Sequence, residues 1–170
     1  MIKTIKASKS EKILFIFLIC LSIFAFTSFF LLKNKCLFVE KNNLSKLNFN
    51  NPDNIVVMNV ECGNVIIELY PKLSPNSVKR FKMLINSGEY NDVAFHRVVK
   101  KFLVQAGDLE YGKKNNINYT YLGTGSSKYG KIKSEVSEPF NFVKGSVGMA
   151  RKSEMNTEDS QFFILLNDAP

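Results

Sequence analysis

The chain has 170 residues, 45% of them apolar and 22% charged, with a formal net charge of +8. This composition excludes collagen-like, disordered and mucin-like chains, and the length excludes two full globular domains. Eight lysines against Glu11, Glu40 and Asp53 give residues 1–53 a net charge of +5, whereas residues 54–170 carry only +3, so charge argues against a dedicated nucleic-acid binder.

Residues 1–12 form a basic tail containing Lys3, Lys6, Lys9 and Lys12. Residues 13–32 follow without a charge, Pro or Gly. As a helix those residues span about 30 Å, the thickness of a bilayer core. The run is apolar on every face, unlike a globular helix with its polar stripe. It is longer than the about 7–15 residues of a secretory h-region, and Ala25-Phe26-Thr27 is a weak cleavage site. The segment therefore predicts an uncleaved signal-anchor ahead of a cleaved signal peptide. The basic bias before the run predicts a cytoplasmic N-terminus, with the remainder lumenal or extracellular. Cleavage would instead release the domain into the secretory pathway or an organelle lumen.

Residues 33–53, rich in Lys and Asn, read as a linker, and residues 54–170 as the folded domain. Cys20, Cys36 and Cys62 are too few for a disulfide framework and match no zinc spacing. Cys36 and Cys62 are expected as free thiols, pairing only in an oxidising compartment. Asn43-Leu44-Ser45 and Asn118-Tyr119-Thr120 are glycosylation sequons, meaningful only in a lumenal chain.

Within the domain, residues 55–60 and 65–70 predict a β-hairpin around Cys62-Gly63-Asn64. Ser74-Pro75 predicts an N-cap and first helical position. Val78, Phe81, Leu84 and Ile85 form the apolar stripe of that helix, and Gly88 stops it. Lys79, Arg80 and Lys82 read as its solvated face. Residues 93–99, 102–105, 146–150 and 161–166 are further strand candidates. Residues 107–131, with five glycines, read as a long loop. One visible helix among about six short strands suggests a mainly β barrel or sandwich.

Two blocks carry a more specific signal. Residues 95–108, FHRVVKKFLVQAGD, together with residues 145–151, GSVGMAR, and Ser160-Gln161-Phe162-Phe163-Ile164, resemble the cyclophilins, barrel-type peptidyl-prolyl cis-trans isomerases. Gly123-Thr124-Gly125 and Tyr129-Gly130 fall at the family's glycine-rich loop. The resemblance covers residues 55–170 and implies an antiparallel β-barrel. It implies Arg97 as the catalytic arginine, Gln105 as the residue positioning it, and Phe102, Leu103 and Phe163 as the pocket for the proline ring. Gln161, Ala150 and Arg151 would line the groove for the preceding residues of the peptide. His96, the only histidine, has no Ser or Cys partner in a recognisable motif. It reads as structural rather than as a general base, grouped by position with the substrate-binding residues.

Strand alternation puts only one of Phe162 and Phe163 in the pocket, and Phe163 is expected there with Phe162 in the core. Lys101 and Ala106 stand where the family has glycines, and the methyl of Ala106 is expected near the pocket. Beyond Asn167-Asp168-Ala169-Pro170 the family continues with another side of the groove, two closing strands and a second helix. The sequence therefore reads as a member shortened at its C-terminus, as from a fragment or incomplete gene model, with a barrel that is incomplete. The expected ligands are proline-containing polypeptides and, by resemblance, cyclosporin-type cyclic peptides. No nucleic acid, cofactor or metal is expected, and the chain is expected to be a monomer. The competing readings are a proline-peptide receptor without turnover and a basic membrane-surface or nucleic-acid binder.

Overall fold

The computed structural model describes residues 8–33, 36, 47–136 and 141–169. The sequon at Asn43, most of the expected linker and most of the N-terminal tail lie outside them. The described residues fall into two compact units: residues before 49 together with Val57–Ile66, and Phe49–Val56 together with the chain from Ile67 onward.

In the first unit, helix α1 runs from Lys9 to Lys33 and buries none of its residues. It is long and apolar enough to cross a membrane. Cys36, just beyond it, is disulfide-bonded to Cys62, with their Cα atoms 4.9 Å apart. This corrects the expectation of free thiols. Spacing along the chain carries no information about a bridge across a sequence separation of 26.

Strands β1 (Ile55–Val60) and β2 (Gly63–Glu68) form a two-stranded sheet. Their connection is Glu61–Cys62, so Gly63 and Asn64 belong to the strand rather than to the turn. Tyr70 to Ser74 leads into helix α2 (Pro75–Asn86). Strands β3 (Arg97–Val99), β4 (Leu103–Ala106), β5 (Val147–Met149) and β6 (Phe162–Leu165) form an antiparallel sheet in the order β3-β4-β6-β5. Six strands and one amphipathic helix match the expected inventory, but no closed barrel forms among the described residues. The hairpin is a separate sheet, and the four-stranded sheet ends on β3 and β5, neither of which pairs with a further strand.

The core of the second unit lies between α2 and one face of this sheet. Val78, Phe81 and Leu84 of the predicted stripe are buried, and Ile85 is half-buried. Phe162 meets Phe81 edge-on, ring centroids 5.2 Å apart, and Tyr90 at 5.5 Å. Ala106, paired with Phe162 across the ladder, is buried too. Its methyl is therefore on the core face, opposite Gln105, rather than near the pocket.

Helix α2 ends as its glycine predicts. Gly88 has φ +70°, its N–H donates to Ile85 O, and the Glu89 N–H donates to Leu84 O, a Schellman closure. Its start differs. Ser74 makes no side-chain cap. The Glu135 carboxylate instead accepts from the Asn76 N–H at 2.7 Å, the Ser77 N–H at 2.9 Å and the Ser77 hydroxyl at 2.8 Å. An anion at the positive end of a helix satisfies donors that have no intrahelical partner. Burial raises the Glu135 pKa, but the Ser77 and Asn76 donors outweigh it, and the net shift is downward.

The predicted solvated face of α2 is also only partly solvated. Lys79 is exposed, but Lys82 donates to Asn54 Oδ1 at 3.1 Å. Arg80 is nearly buried, paired with Asp159 at 2.5 Å and donating to Gly130 O at 2.6 Å. Asp159 in turn accepts from the N–H and hydroxyl of Ser127. One ion pair thus anchors residues 127–130 to the helix.

Candidate active site

Alternation along β4 and β6 divides the sheet into two faces. Ala106 and Phe162 face α2, whereas Leu103, Gln105, Phe163 and Leu165 share the other face. Arg97, paired with Gln105 in the β3–β4 register, joins them there.

On that face the polar side chains form a directed row. Arg97 Nη1 donates to Gln105 Oε1 at 3.3 Å, and Gln105 Nε2 donates to Gln161 Oε1 at 2.9 Å. Gln161 Nε2 then donates to the carbonyls of Gly123 at 3.0 Å and Gly125 at 2.9 Å. Each amide has a carbonyl and an NH2 end, and this row fixes which way both point. Arg97 is exposed at the end of the row, so its remaining donors face solvent.

The row is supported by a carboxylate that the sequence reading did not single out. Asp108 is fully buried and accepts four backbone N–H groups. Oδ1 takes those of Glu110 and Tyr111, and Oδ2 those of Gly123 at 2.7 Å and Gly125 at 3.1 Å. A Cβ at Gly125 would lie 2.1 Å from Asp108 Oδ1, so only glycine permits this approach. The glycine-rich loop is thus held by a buried anion on one side and by Gln161 on the other. Ser160 supplies a second brace. It is fully buried, its hydroxyl donates to Gly107 O at 2.8 Å, and its carbonyl accepts from the Tyr90 hydroxyl at 2.7 Å. Burial pushes the Tyr90 pKa far up, so the phenol stays protonated.

The remaining predicted residues divide into groups. Phe163 lies on the same face as Gln105 and packs on Phe142 with ring centroids 5.6 Å apart. Gly148 makes room for that pair, since a Cβ there would lie 2.7 Å from the Phe163 ring. Phe142 is an aromatic that the motif blocks do not include. Leu103 is on this face but buried, so it offers little surface. Phe102 is 37% exposed at the β3–β4 turn. Ala150 is tied to Gln161 through its backbone, N–H to O at 2.8 Å. Arg151 turns toward its own loop, donating to Lys152 O and Ser153 O, and is not hydrogen-bonded to the row.

His96 pairs through its backbone with Gln105. Both its ring nitrogens are buried without a hydrogen bond, and the ring lies against Gly123. Burial lowers its pKa against the opposing pull of Asp108 and Gln161, which leaves a neutral ring at pH 7. Among the described residues no group hydrogen-bonds either ring nitrogen to orient the ring.

Residues 55–170 match the family model described as cyclophilin type peptidyl-prolyl cis-trans isomerase/CLD, and the chain belongs to that family. A probable peptidyl-prolyl cis-trans isomerase of Brucella suis biovar 1 (strain 1330) is 43% identical over 121 residues, covering 70% of this chain and 61% of the relative. Peptidyl-prolyl cis-trans isomerase A of Dickeya dadantii (strain 3937) is 33% identical over 113 residues, covering 66% and 54%. This chain therefore spans about three fifths of the length of the curated relatives it matches. Among solved structures, a Cryptosporidium parvum cyclophilin type isomerase, crystallised in the presence of the dipeptide Ala-Pro, superposes with TM-score 0.54 at 32% identity, covering 64% of this chain and 65% of that one. Cyclophilin AquaCyp293 of Hirschia baltica, at 21% identity and TM-score 0.55, covers 70% and 59% and shares the fold.

Proposed function

We propose that this chain catalyses cis–trans rotation about X–Pro bonds in polypeptides. The observation that carries the reading is the row Arg97–Gln105–Gln161 on the sheet face that also holds Phe163. The barrier to be lowered is about 20 kcal/mol and comes from amide resonance, which twisting destroys. Such a reaction needs no nucleophile. It needs an apolar seat for the proline ring and a hydrogen-bond donor that favours the twisted amide over the planar one.

Phe163, Phe102 and the edge of Leu103 supply the seat, and Phe142 extends it beside Phe163. Arg97 supplies the donor, always charged and rigidly forked. Gln105 holds one of its N–H groups, so the free ones are aimed without being ordered anew in each turnover. A donor that gains a better acceptor only in the transition state stabilises that state selectively. Gln161 and the backbone at Ala150 and Arg151 receive the residues before the proline, and His96 stays neutral beside Gly123. The relative crystallised in the presence of Ala-Pro supports a proline-containing ligand.

Helix α1 anchors the chain in a membrane in this reading, with the domain of residues 54–170 on the lumenal or extracellular side. Its length, its lack of any buried residue and the lysines preceding it support this.

The test is exchange NMR on an Ala-Pro peptide with the full chain in detergent micelles. Arg97→Ala is expected to lower the catalysed exchange about 100-fold, the scale for loss of one transition-state donor. Unchanged exchange in that variant would overturn the assignment. A second reading, a proline-peptide receptor without turnover, is favoured by the two sheet edges left unpaired among the described residues. It predicts peptide binding by the folded wild-type chain with no exchange above background.

A further inference from the structure

The Cys36–Cys62 bridge is not part of the isomerase site. Cys36 stands three residues beyond the end of α1, and Cys62 sits in the turn between β1 and β2. We propose that this bridge is an oxidative modification that shortens the tether between the membrane helix and the first hairpin. The proposal rests on the signal-anchor reading for its compartment.

Chain length carries the argument. By the main chain alone, the 29 residues from Lys33 to Cys62 permit a separation of roughly 100 Å. Through the bridge, the three residues from Lys33 to Cys36 reach about 11 Å, and the cysteine Cα atoms are 4.9 Å apart. The turn at Cys62 is then confined to within about 16 Å of the end of α1. The maximal reach between the end of α1 and the turn at Cys62 is thus set by oxidation state.

The bond also constrains the compartment. Disulfides persist in oxidising spaces and are reduced in the cytosol, in agreement with the lumenal or extracellular side assigned from the lysines. Formation requires a disulfide-bearing oxidant, a thiol–disulfide exchange protein or a small-molecule disulfide. One cysteine thiolate attacks the donor to give a mixed disulfide. The second displaces the donor sulfur, so two protons and two electrons leave the chain and the donor departs reduced, a protein donor as its dithiol and a small-molecule disulfide as two thiols. Cys20 lies within α1 as a free thiol and serves as an internal count.

The experiment uses the full chain in membranes, with a unique protease recognition sequence inserted between Lys41 and Lys46. After cleavage, the two fragments are expected to migrate as one species on a non-reducing gel and to pellet with the membrane. Dithiothreitol is expected to separate them and release the C-terminal fragment. Cys62→Ser is expected to release it without reductant, while exchange on the Ala-Pro peptide stays at the wild-type rate. Fragments that separate without reductant in the wild-type chain would overturn the bridge. Linked fragments that stay in the supernatant would overturn the tether, and the mass of the N-terminal fragment would then show whether α1 had been removed. Neither result bears on isomerisation, which the peptide assay reads independently.

Discussion

The two faces of the four-stranded sheet are made by alternate residues of the same strands, yet they are built by different physics. The face toward α2 holds the buried Ala106 and Phe162, with Phe162 edge-on to Phe81 and Tyr90. The other face holds Arg97, Gln105 and Gln161 in a hydrogen-bonded row tied to a loop whose own anchor is the buried Asp108. The first face tolerates changes that keep volume and apolarity. The second depends on direction, because an amide turned around presents a donor where an acceptor is needed. Stability and catalysis should therefore separate across a single strand, although neighbouring residues are only one position apart.

The largest expected effect is on the packed face. Phe162→Ala removes a buried ring and is expected to destabilise the chain by about 3–5 kcal/mol in thermal or denaturant unfolding. The surviving folded fraction should keep its specific activity. Asp108→Asn replaces an acceptor of four N–H groups with a group that has only one acceptor atom. It is expected to cost about 2–3 kcal/mol and to lower kcat/KM as well, since the loop that orients Gln161 loosens. If Asp108→Asn loses stability alone, the loop does not support the row, and the comparison fails at that point.

Gln161→Leu keeps the volume of the side chain but breaks the middle of the row. A loss of roughly tenfold in kcat/KM, equivalent to about 1.4 kcal/mol, is expected in the peptide-exchange assay, with a smaller change in unfolding midpoint. Glu135→Gln weakens the anion at the start of α2 and is expected to cost about 1 kcal/mol, leaving kcat/KM unchanged. Because the Glu135 pKa is depressed in the folded chain, its contribution is present above the unfolded carboxylate value of 4.5 and fades as pH falls through the folded one. Unfolding midpoints of the wild type and Glu135→Gln should therefore converge in acid. The smallest effect is at Lys101, which holds φ +59° in the β3–β4 turn. Lys101→Gly relieves the left-handed strain and is expected to raise stability by up to about 1 kcal/mol.

Much of this architecture is legible one segment at a time. The uniformly apolar run over residues 13–32 appears as α1, and the stripe of Val78, Phe81 and Leu84 becomes the buried side of α2. Gly88 ends that helix through its own φ. Phe162 and Phe163 part to opposite faces as strand alternation requires, and the motif blocks lead directly to Arg97, Gln105 and Gln161. What escaped the sequence reading are partners distant along the chain. Glu135 caps a helix nearly 60 residues earlier, and Arg80 pairs with Asp159 across 79 residues. Arg80 was indistinguishable from a solvated lysine by spacing, and Phe142 lies in no motif.

The identity and order of the elements, and the residues proposed for the chemistry, can be read from the sequence. Periodicity, caps and glycine conformations act within a few residues of their position. Only the tertiary structure shows which carboxylate meets which donor, that Ala106 faces the core, and that β3 and β5 are the sheet edges among the described residues. Those outcomes follow from burial. A buried charge or donor must find its partner wherever the fold brings one, and a local pattern contains no record of that distant partner.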